Sequence, residues 1–425
     1  MALRKVVDKL FPKPPEPLQP GLFHYMREAE GNYTRFHLRI EPDGSGLLLA
    51  NATAIARLTP SGVIIVRGLL EGKGKDEIAR EISKRFRGAS AKTIGADITK
   101  ISEMLSTLAS PDDNYPIINL EDAEFSPYEA RLIAPFRADV PLATPEQLVP
   151  IVDKLWEIGI PHVSIITSER PNPQHLVRAV ERAGDLGMIA GVRGLASCLA
   201  EGSLLKDLAQ AGVDHVTVLY VSGNQRLHDS ICGVEDHQKA ERIFPLIREL
   251  EVCPVAEIPL TTATAHLLEE TFESLVQMGI HNASFFAIAR PDDDTAIDDA
   301  TLRASALPQI AAIIEEASPA ANVRYLWQPP VLRKRNKSLE QQIREGPRCS
   351  GDVSVRVEPD GSVIPPRGPY QSAGNILQDN WKRIWDNDAF RRYRERVESP
   401  TRCETCPGLA ICAADCPRDP RGWAS

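Results

Sequence analysis

No apolar run in this 425-residue chain is long enough to span a bilayer. Met1 to Leu10 carry Arg4, Lys5 and Lys9, but no apolar stretch follows, so a secretory signal is not expected. Positive charge is not in excess either. The 49 Lys and Arg residues are outnumbered by 58 Asp and Glu, giving a formal net charge of −9. Generic nucleic-acid binding works by neutralising phosphates, and this balance speaks against it. We therefore expect a cytoplasmic protein with neither a membrane nor a nucleic acid as partner. In that compartment thiols stay reduced, and clustered cysteines point to metal.

Cysteine is scarce, eight in all, yet four of the eight fall within residues 403–416. Cys403, Cys406, Cys412 and Cys416 are spaced C-x2-C-x5-C-x3-C. Two thiolates two residues apart can grip one metal centre, and the turn between them aims backbone N–H groups at the sulfurs. Zinc and an iron–sulfur cluster both use such thiolates. Cys198, Cys232 and Cys253 are scattered without ligand spacing.

The chain should hold two or three domains. Residues 1–30 read as an irregular arm, because Pro12, Pro14, Pro15 and Pro17 cannot donate to a backbone ladder. Residues 31–110 read as a small unit of three strands and three helices. Phe36–Ile40 and Leu47–Leu49 flank the turn Pro42-Asp43-Gly44-Ser45-Gly46, and a third strand covers Ala54–Leu58. Thr59-Pro60-Ser61 opens the first of three helices, near 60–70, 74–86 and 93–108. Ile78, Ile82 and Phe86 stripe the second; Ile94, Ile98, Ile101, Leu105 and Leu108 stripe the third. Such a unit can be a winged helix on DNA or a peptide binder. The third helix and its approach carry Lys92, Asp97, Lys100 and Glu103, a balanced face, which favours peptide. A packing domain without a ligand is the bland alternative.

Residues 110–128 read as a linker. Strands then alternate with helices, near 131–137, 162–167, 188–193, 215–221, 254–260, 283–289 and 323–328. Thr144-Pro145-Glu146-Gln147 opens one helix, and Gly159, Gly187, Gly212 and Gly279 close helices. This pattern requires a parallel sheet with crossover helices, as a β/α barrel or an open doubly wound sheet. Sites in such folds lie beyond the C-terminal strand ends. Arg137, Glu169, His228, Asp229 and Glu257 stand at or just past those ends and are the barrel-mouth ligand candidates. Glu169 could equally cap the next helix, and His228 could simply hold its loop by hydrogen bonds.

Two stretches resemble known families. Leu47-Leu48-Leu49-Ala50-Asn51, Leu58-Thr59-Pro60 and Leu69-Leu70-Glu71-Gly72 with Asp76-Glu77-Ile78 resemble the small winged-helix-like leader-peptide-binding domain first known from pyrroloquinoline quinone biosynthesis, the PqqD-like domain. That resemblance implies a peptide added as a strand between the third strand and third helix. The candidates there are Ala54, Ile55, Ala56, Arg57, Ile98 and Ile101. From about residue 128 onward the chain resembles the radical S-adenosylmethionine (SAM) peptide maturases with a SPASM extension. His228-Asp229 with Gly233 matches their H-D-x-x-x-G, and Glu169 matches the acid of their G-G-E-P. Gly361-Ser362-Val363-Ile364-Pro365, Gly374-Asn375-Ile376 and Ile384-Trp385 match the SPASM scaffold, as does the terminal cysteine motif. The implied fold is a partial (β/α)6 barrel over 128–330 followed by a Cys-rich metal module over 331–425.

The departure from that family follows the first barrel strand. Members carry C-x3-C-x2-C there, the ligands of the cluster that cleaves S-adenosylmethionine. Here Pro135 to Pro145 contains no cysteine. The resemblance thus implies a degenerate member, in which neither S-adenosylmethionine nor conventional radical chemistry is expected. The SPASM pattern builds two clusters from seven cysteines. This chain offers five, Cys349, Cys403, Cys406, Cys412 and Cys416, with Pro366 at what looks like a further ligand position. One site is implied: a 4Fe–4S cluster on the terminal four, with Cys349 as substitute fourth ligand. Structural zinc fits the count equally. The function expected is recognition of a peptide or protein and help in its maturation, as partner to an active maturase. The rivals are an enzyme of altered chemistry using the barrel mouth and an auxiliary cluster, and a zinc-stabilised binding scaffold.

Overall fold

The computed structural model describes residues 18–29, 32–50, 54–86, 90–109, 133–167, 170–290, 292, 300–328, 330–347, 354–364, 372–387 and 390. The chain divides into two compact units, Met1–Asp112 and Asp113–Ser425.

The first unit is an antiparallel sheet in the order β1 (Gly21–Ala29), β2 (Asn32–Ile40), β3 (Gly46–Ala50), β4 (Ala54–Leu58). Helices α1 (Pro60–Leu70), α2 (Lys75–Arg85) and α3 (Ala91–Ala109) follow. Thr59 caps α1 by accepting the Gly62 N–H, and Pro60 starts the helix where its missing N–H costs nothing. Two apolar layers meet on α1. Val63 and Val66 pack with Phe36, Leu38, Ile40, Leu48, Leu58 and Leu105, while Ile64 and Ile65 pack with Ile78, Ile82, Ile94 and Ile98. One expectation fails: the sheet has four strands, because residues 21–29 of the supposed arm form a nine-residue strand. Phe23 and Tyr25 pack against the core, and that gain outweighs the neighbouring prolines.

The second unit is α/β. Its strands β5 (Arg137–Pro141), β6 (His162–Ile166), β7 (Ile189–Gly194), β8 (His215–Leu219), β9 (Cys253–Leu260) and β10 (Asn282–Arg290) lie parallel, each beside the next in sequence. Between them run α4 (Pro145–Glu157), α5 (Pro173–Asp185), α6 (Ala196–Leu199), α7 (Leu204–Gln210), α8 (Gln225–Cys232), α9 (His237–Glu249), α10 (Thr262–Ala265) and α11 (Leu268–Gln277). After β10 come β11 (Leu302–Arg303), α12 (Leu307–Ala320), β12 (Arg324–Trp327), β13 (Val331–Leu332) and α13 (Leu339–Glu345). The three short strands all pair with β10. At the other edge β14 (Ser354–Val357) runs parallel to β5 and antiparallel to β15 (Val363–Ile364). A short helix α14 (Trp381–Trp385) sends the Trp381 Nε1–H to the Ile133 carbonyl at 2.8 Å. Trp381, Trp385 and Phe390 stack in series beside it.

The first barrel strand is later than expected. Pro135 breaks the 131–137 run, and the strand begins at Arg137. The connection from β5 to α4 is then only Leu142, Ala143 and Thr144. Among the described residues, no helix is long and apolar enough to cross a membrane.

Candidate functional site

Strands β5, β6 and β8 and the start of β10 alternate polar and apolar residues. In a strand successive side chains point to opposite faces, and residues paired in register share a face. One face carries Ala138, Val140, Val163, Ile165, Ala190, Val192, Val216, Val218, Ala256, Ala283 and Phe285, all buried. The other carries Arg137 and Asp139, His162 and Ser164, Gly191 and Arg193, His215 and Thr217, Cys253 and Glu257, Asn282 and Ser284, together with the apolar Ile166, Ile189, Leu219, Val255 and Phe286. Interiors of β/α barrels are ordinarily filled by bulky branched residues. This one mixes apolar side chains with buried polar ones, and the buried polar groups are the informative ones.

Its charges are matched. Arg193 holds Glu257 in a fork, Nε to the two carboxylate oxygens at 2.9 and 2.8 Å and Nη2 to one at 2.5 Å. Burial alone would lower the Arg193 pKa; Glu257, with Asp139 further off, raises it above the usual value. Arg137 pairs with Asp139 at 3.0 Å. Nearer the strand starts, His162 and His215 meet Nε2 to Nε2 at 2.7 Å. They can do so because Gly191 stands between them in the sheet: a Cβ there would overlap the His215 ring. Burial, with Arg137 nearby, pulls the His215 pKa down to about 3, so the His215 ring is neutral near pH 7. Asn282 donates to Cys253 Sγ at 3.5 Å, completing this layer.

Of the barrel-mouth candidates, Glu257 lies in this interior. Arg137 does too, but it opens β5 and so stands at the end opposite the mouth. Glu169 falls outside the described residues. His228 and Asp229 are turned to backbone. The His228 Nδ1 accepts the Val221 N–H at 3.2 Å, and its Nε2 faces Asp236 Oδ2 at 3.4 Å. Asp236 in turn accepts from Ala196 N–H at 3.2 Å and Ser197 N–H at 2.6 Å, and Asp229 accepts from the N–H groups of Asp236 and His237 at 2.8 Å. His228, Cys232 and Asp236 bring three metal-capable atoms within 4.8 Å of one another. The hydrogen bonds argue against a metal there. With Nδ1 as acceptor, a neutral His228 carries its proton on Nε2, so the nitrogen facing the others has no free lone pair. Burial also pushes the Cys232 thiol pKa up, away from the thiolate a metal needs. The group is a lock on the loops around α6, α8 and α9.

In the first unit, Ala54, Ile55, Ala56 and Arg57 lie on β4, an edge of the sheet. Arg57 is exposed, and Ala56 and Ile101 are half-buried against the core. Ile98 is 1% exposed and serves the core instead. The cysteines Cys349, Cys403, Cys406, Cys412 and Cys416 all fall outside the described residues. As a donor set, five thiols with C-x2-C spacing suit one four-thiolate metal centre. Sequence reading missed Asp139, His162, Ser164, Arg193, His215, Thr217 and Asn282. The signal was the period-two alternation in His-Val-Ser, His-Val-Thr, Arg-Ala-Asp and Asn-Ala-Ser.

Comparison with known proteins agrees with this architecture. Residues 349–407 match the SPASM family, an iron–sulfur cluster-binding domain. The chain has the fold of the radical SAM/SPASM-type peptide-modifying enzymes. Solved structures that share it include SuiB of Streptococcus suis bound to S-adenosylmethionine, at 13% identity and TM-score 0.57, covering 92% of this chain and 95% of that one. SuiB bound to its precursor peptide SuiA aligns at 12% identity and TM-score 0.57, with the same coverage. At these identities the likeness is one of fold. No curated protein matches the sequence significantly.

Proposed function

We propose that this protein recognises a peptide or protein through the β4 edge of its first unit, holds one 4Fe–4S cluster at its C-terminal cysteines, and assists maturation of the bound chain without cleaving S-adenosylmethionine. The observation that carries the reading is the connection after β5. Leu142, Ala143 and Thr144 are its only residues, none of them a thiol, so three cluster ligands have no place there. Without an open-site cluster there is no iron to anchor the methionine end of the cofactor or to pass it an electron. The cluster proposed for Cys403, Cys406, Cys412 and Cys416, with Cys349 in reserve, supplies redox capacity and ties the chain end together when bound. The chemistry on the substrate then falls to an active maturase acting as partner, in the cytoplasm. The β4 edge supports the peptide half of the proposal, since an edge strand offers N–H and C=O groups that an extended peptide can satisfy.

A second reading is favoured by the charged barrel interior: an enzyme of altered chemistry working on Arg193, Glu257 and their neighbours. Hydrogen exchange tests the first reading. Full-length protein is panned against a display library of random peptides, and exchange is then recorded with an enriched peptide bound. Protection at amides 54–58 is expected. Enrichment of no peptide, or protection confined to the barrel strands, would remove the β4 proposal and leave the second reading.

A further inference from the structure

We propose that the first unit pairs with a second copy of this chain through β1, edge to edge and antiparallel, about a two-fold axis at Met26. The two four-stranded sheets then join into one. The inference goes beyond peptide recognition at β4 and does not rest on it, because β1 and β4 are opposite edges of the sheet.

It starts from how β1 is built. Edge strands are ordinarily blunted by brevity, proline, lysine or a bulge. β1 is nine residues long, against about five or six for an ordinary strand. Gly21 to Ala29 includes neither Pro nor Lys. Its register with β2 runs unbroken from Gly21 opposite Ile40 to Ala29 opposite Asn32, so no bulge twists the edge away. Among the described residues, β2 is its only neighbouring strand. The strand is also held in place. The Arg67 guanidinium lies 4.6 Å from the centre of the Phe23 ring, and the Tyr25 hydroxyl donates to Glu71 at 3.5 Å. Arg27 donates to the Leu69 carbonyl. These ties fix one row of β1 to the end of α1, so pairing costs little further ordering. On the other row Met26 is 68% exposed, the most exposed of the large hydrophobic side chains described.

The occupant follows from self-complementarity. Opposite residues of an antiparallel pair share a face, so a two-fold axis must pass through a residue for the pleats to match. An axis at residue 26 sets Met26 on Met26, Tyr25 against Arg27, His24 against Glu28 and Phe23 against Ala29. Apolar then meets apolar, and no like charges meet. An axis at Tyr25 sets Leu22 against Glu28, and one at Arg27 sets guanidinium on guanidinium. An axis at His24 sets Glu28 against Pro20, which has no N–H to offer. Only residues 23–29 of each copy overlap in the Met26 register. That contact falls short of a standard interface of about 1,600 Å², so the dimer is expected to be reversible at roughly micromolar concentrations.

Sedimentation velocity of full-length protein, from about 1 to 100 µM, is the test. The mass is expected to rise from one chain to two across the range. Met26→Lys places two ammonium groups together on the axis and is expected to weaken dimerisation at least about tenfold. Its own melt reports whether it is folded. Under mild oxidation Met26→Cys is expected to link two copies through position 26, located by mass spectrometry of the digested protein. A single monomer throughout, a dimer untouched by Met26→Lys, or no link at position 26 overturns the proposal. A monomer would leave the β1 edge to another occupant. Peptide protection at residues 54–58 is read on the opposite edge and should survive Met26→Lys, so this inference and the proposed function can fail separately.

Discussion

Arg193 and Glu257 can each be judged by what removal leaves behind. Glu257→Gln removes the carboxylate paired with a guanidinium that is almost fully covered. Breaking a buried pair from one side costs about 3–5 kcal/mol, most of it from the stranded charge. The double variant Arg193→Met/Glu257→Leu strands nothing. It is expected to be as stable as the parent or more so, because the pair's attraction only offsets its desolvation. Urea midpoints of the three proteins check this. If the double variant is as destabilised as the single one, the pair itself holds the barrel together.

The elements show how such residues are brought together. β5, β6, β8 and the start of β10 are short alternating segments, and there only the alternation was needed to put the polar residues on one face. That much was legible in the sequence. The pairings were not: Arg193 and Glu257 are 64 residues apart, and His162 and His215 are 53 apart. Contacts of that separation depend on strand order and tilt, which no local pattern encodes. Two local misreadings have local causes. Prolines before Leu18 masked β1, and Pro135 shifted the first barrel strand so that Arg137 became its beginning. The layer of His162, Gly191 and His215 carries its own pH signature. His215 has a folded-state pKa of about 3, well below the unfolded value of about 6.5. The unfolded chain therefore binds more protons between those values. The stabilisation is fully present above about pH 6.5 and is lost as pH falls toward about 3. In His215→Gln this proton uptake disappears, so stability measured by urea between about pH 4 and 6 should fall less steeply than in the parent. An unchanged slope would mean that His215 is not buried as a neutral ring.

At the scale of the whole molecule the question is what the C-terminal cysteines do for the barrel. The SPASM match at residues 349–407 begins at Cys349, three residues beyond the Gly346 that presses on Arg193. Strands β14 and β15 extend the sheet past β5, and Trp381 fastens the same segment to the residues just before that strand. A centre built on Cys349 or its neighbours would therefore anchor the end of the barrel sheet, and losing it should be felt there. Anaerobically purified protein is expected to contain about four irons with matching sulfide per chain and a broad absorption near roughly 400 nm. Cys403→Ser/Cys406→Ser should lose both and melt at a lower temperature, with Trp fluorescence reporting the loosened α14. One zinc and no iron would replace the cluster with a structural metal, leaving a binding scaffold. About eight irons would mean that groups other than these five thiols complete a second site.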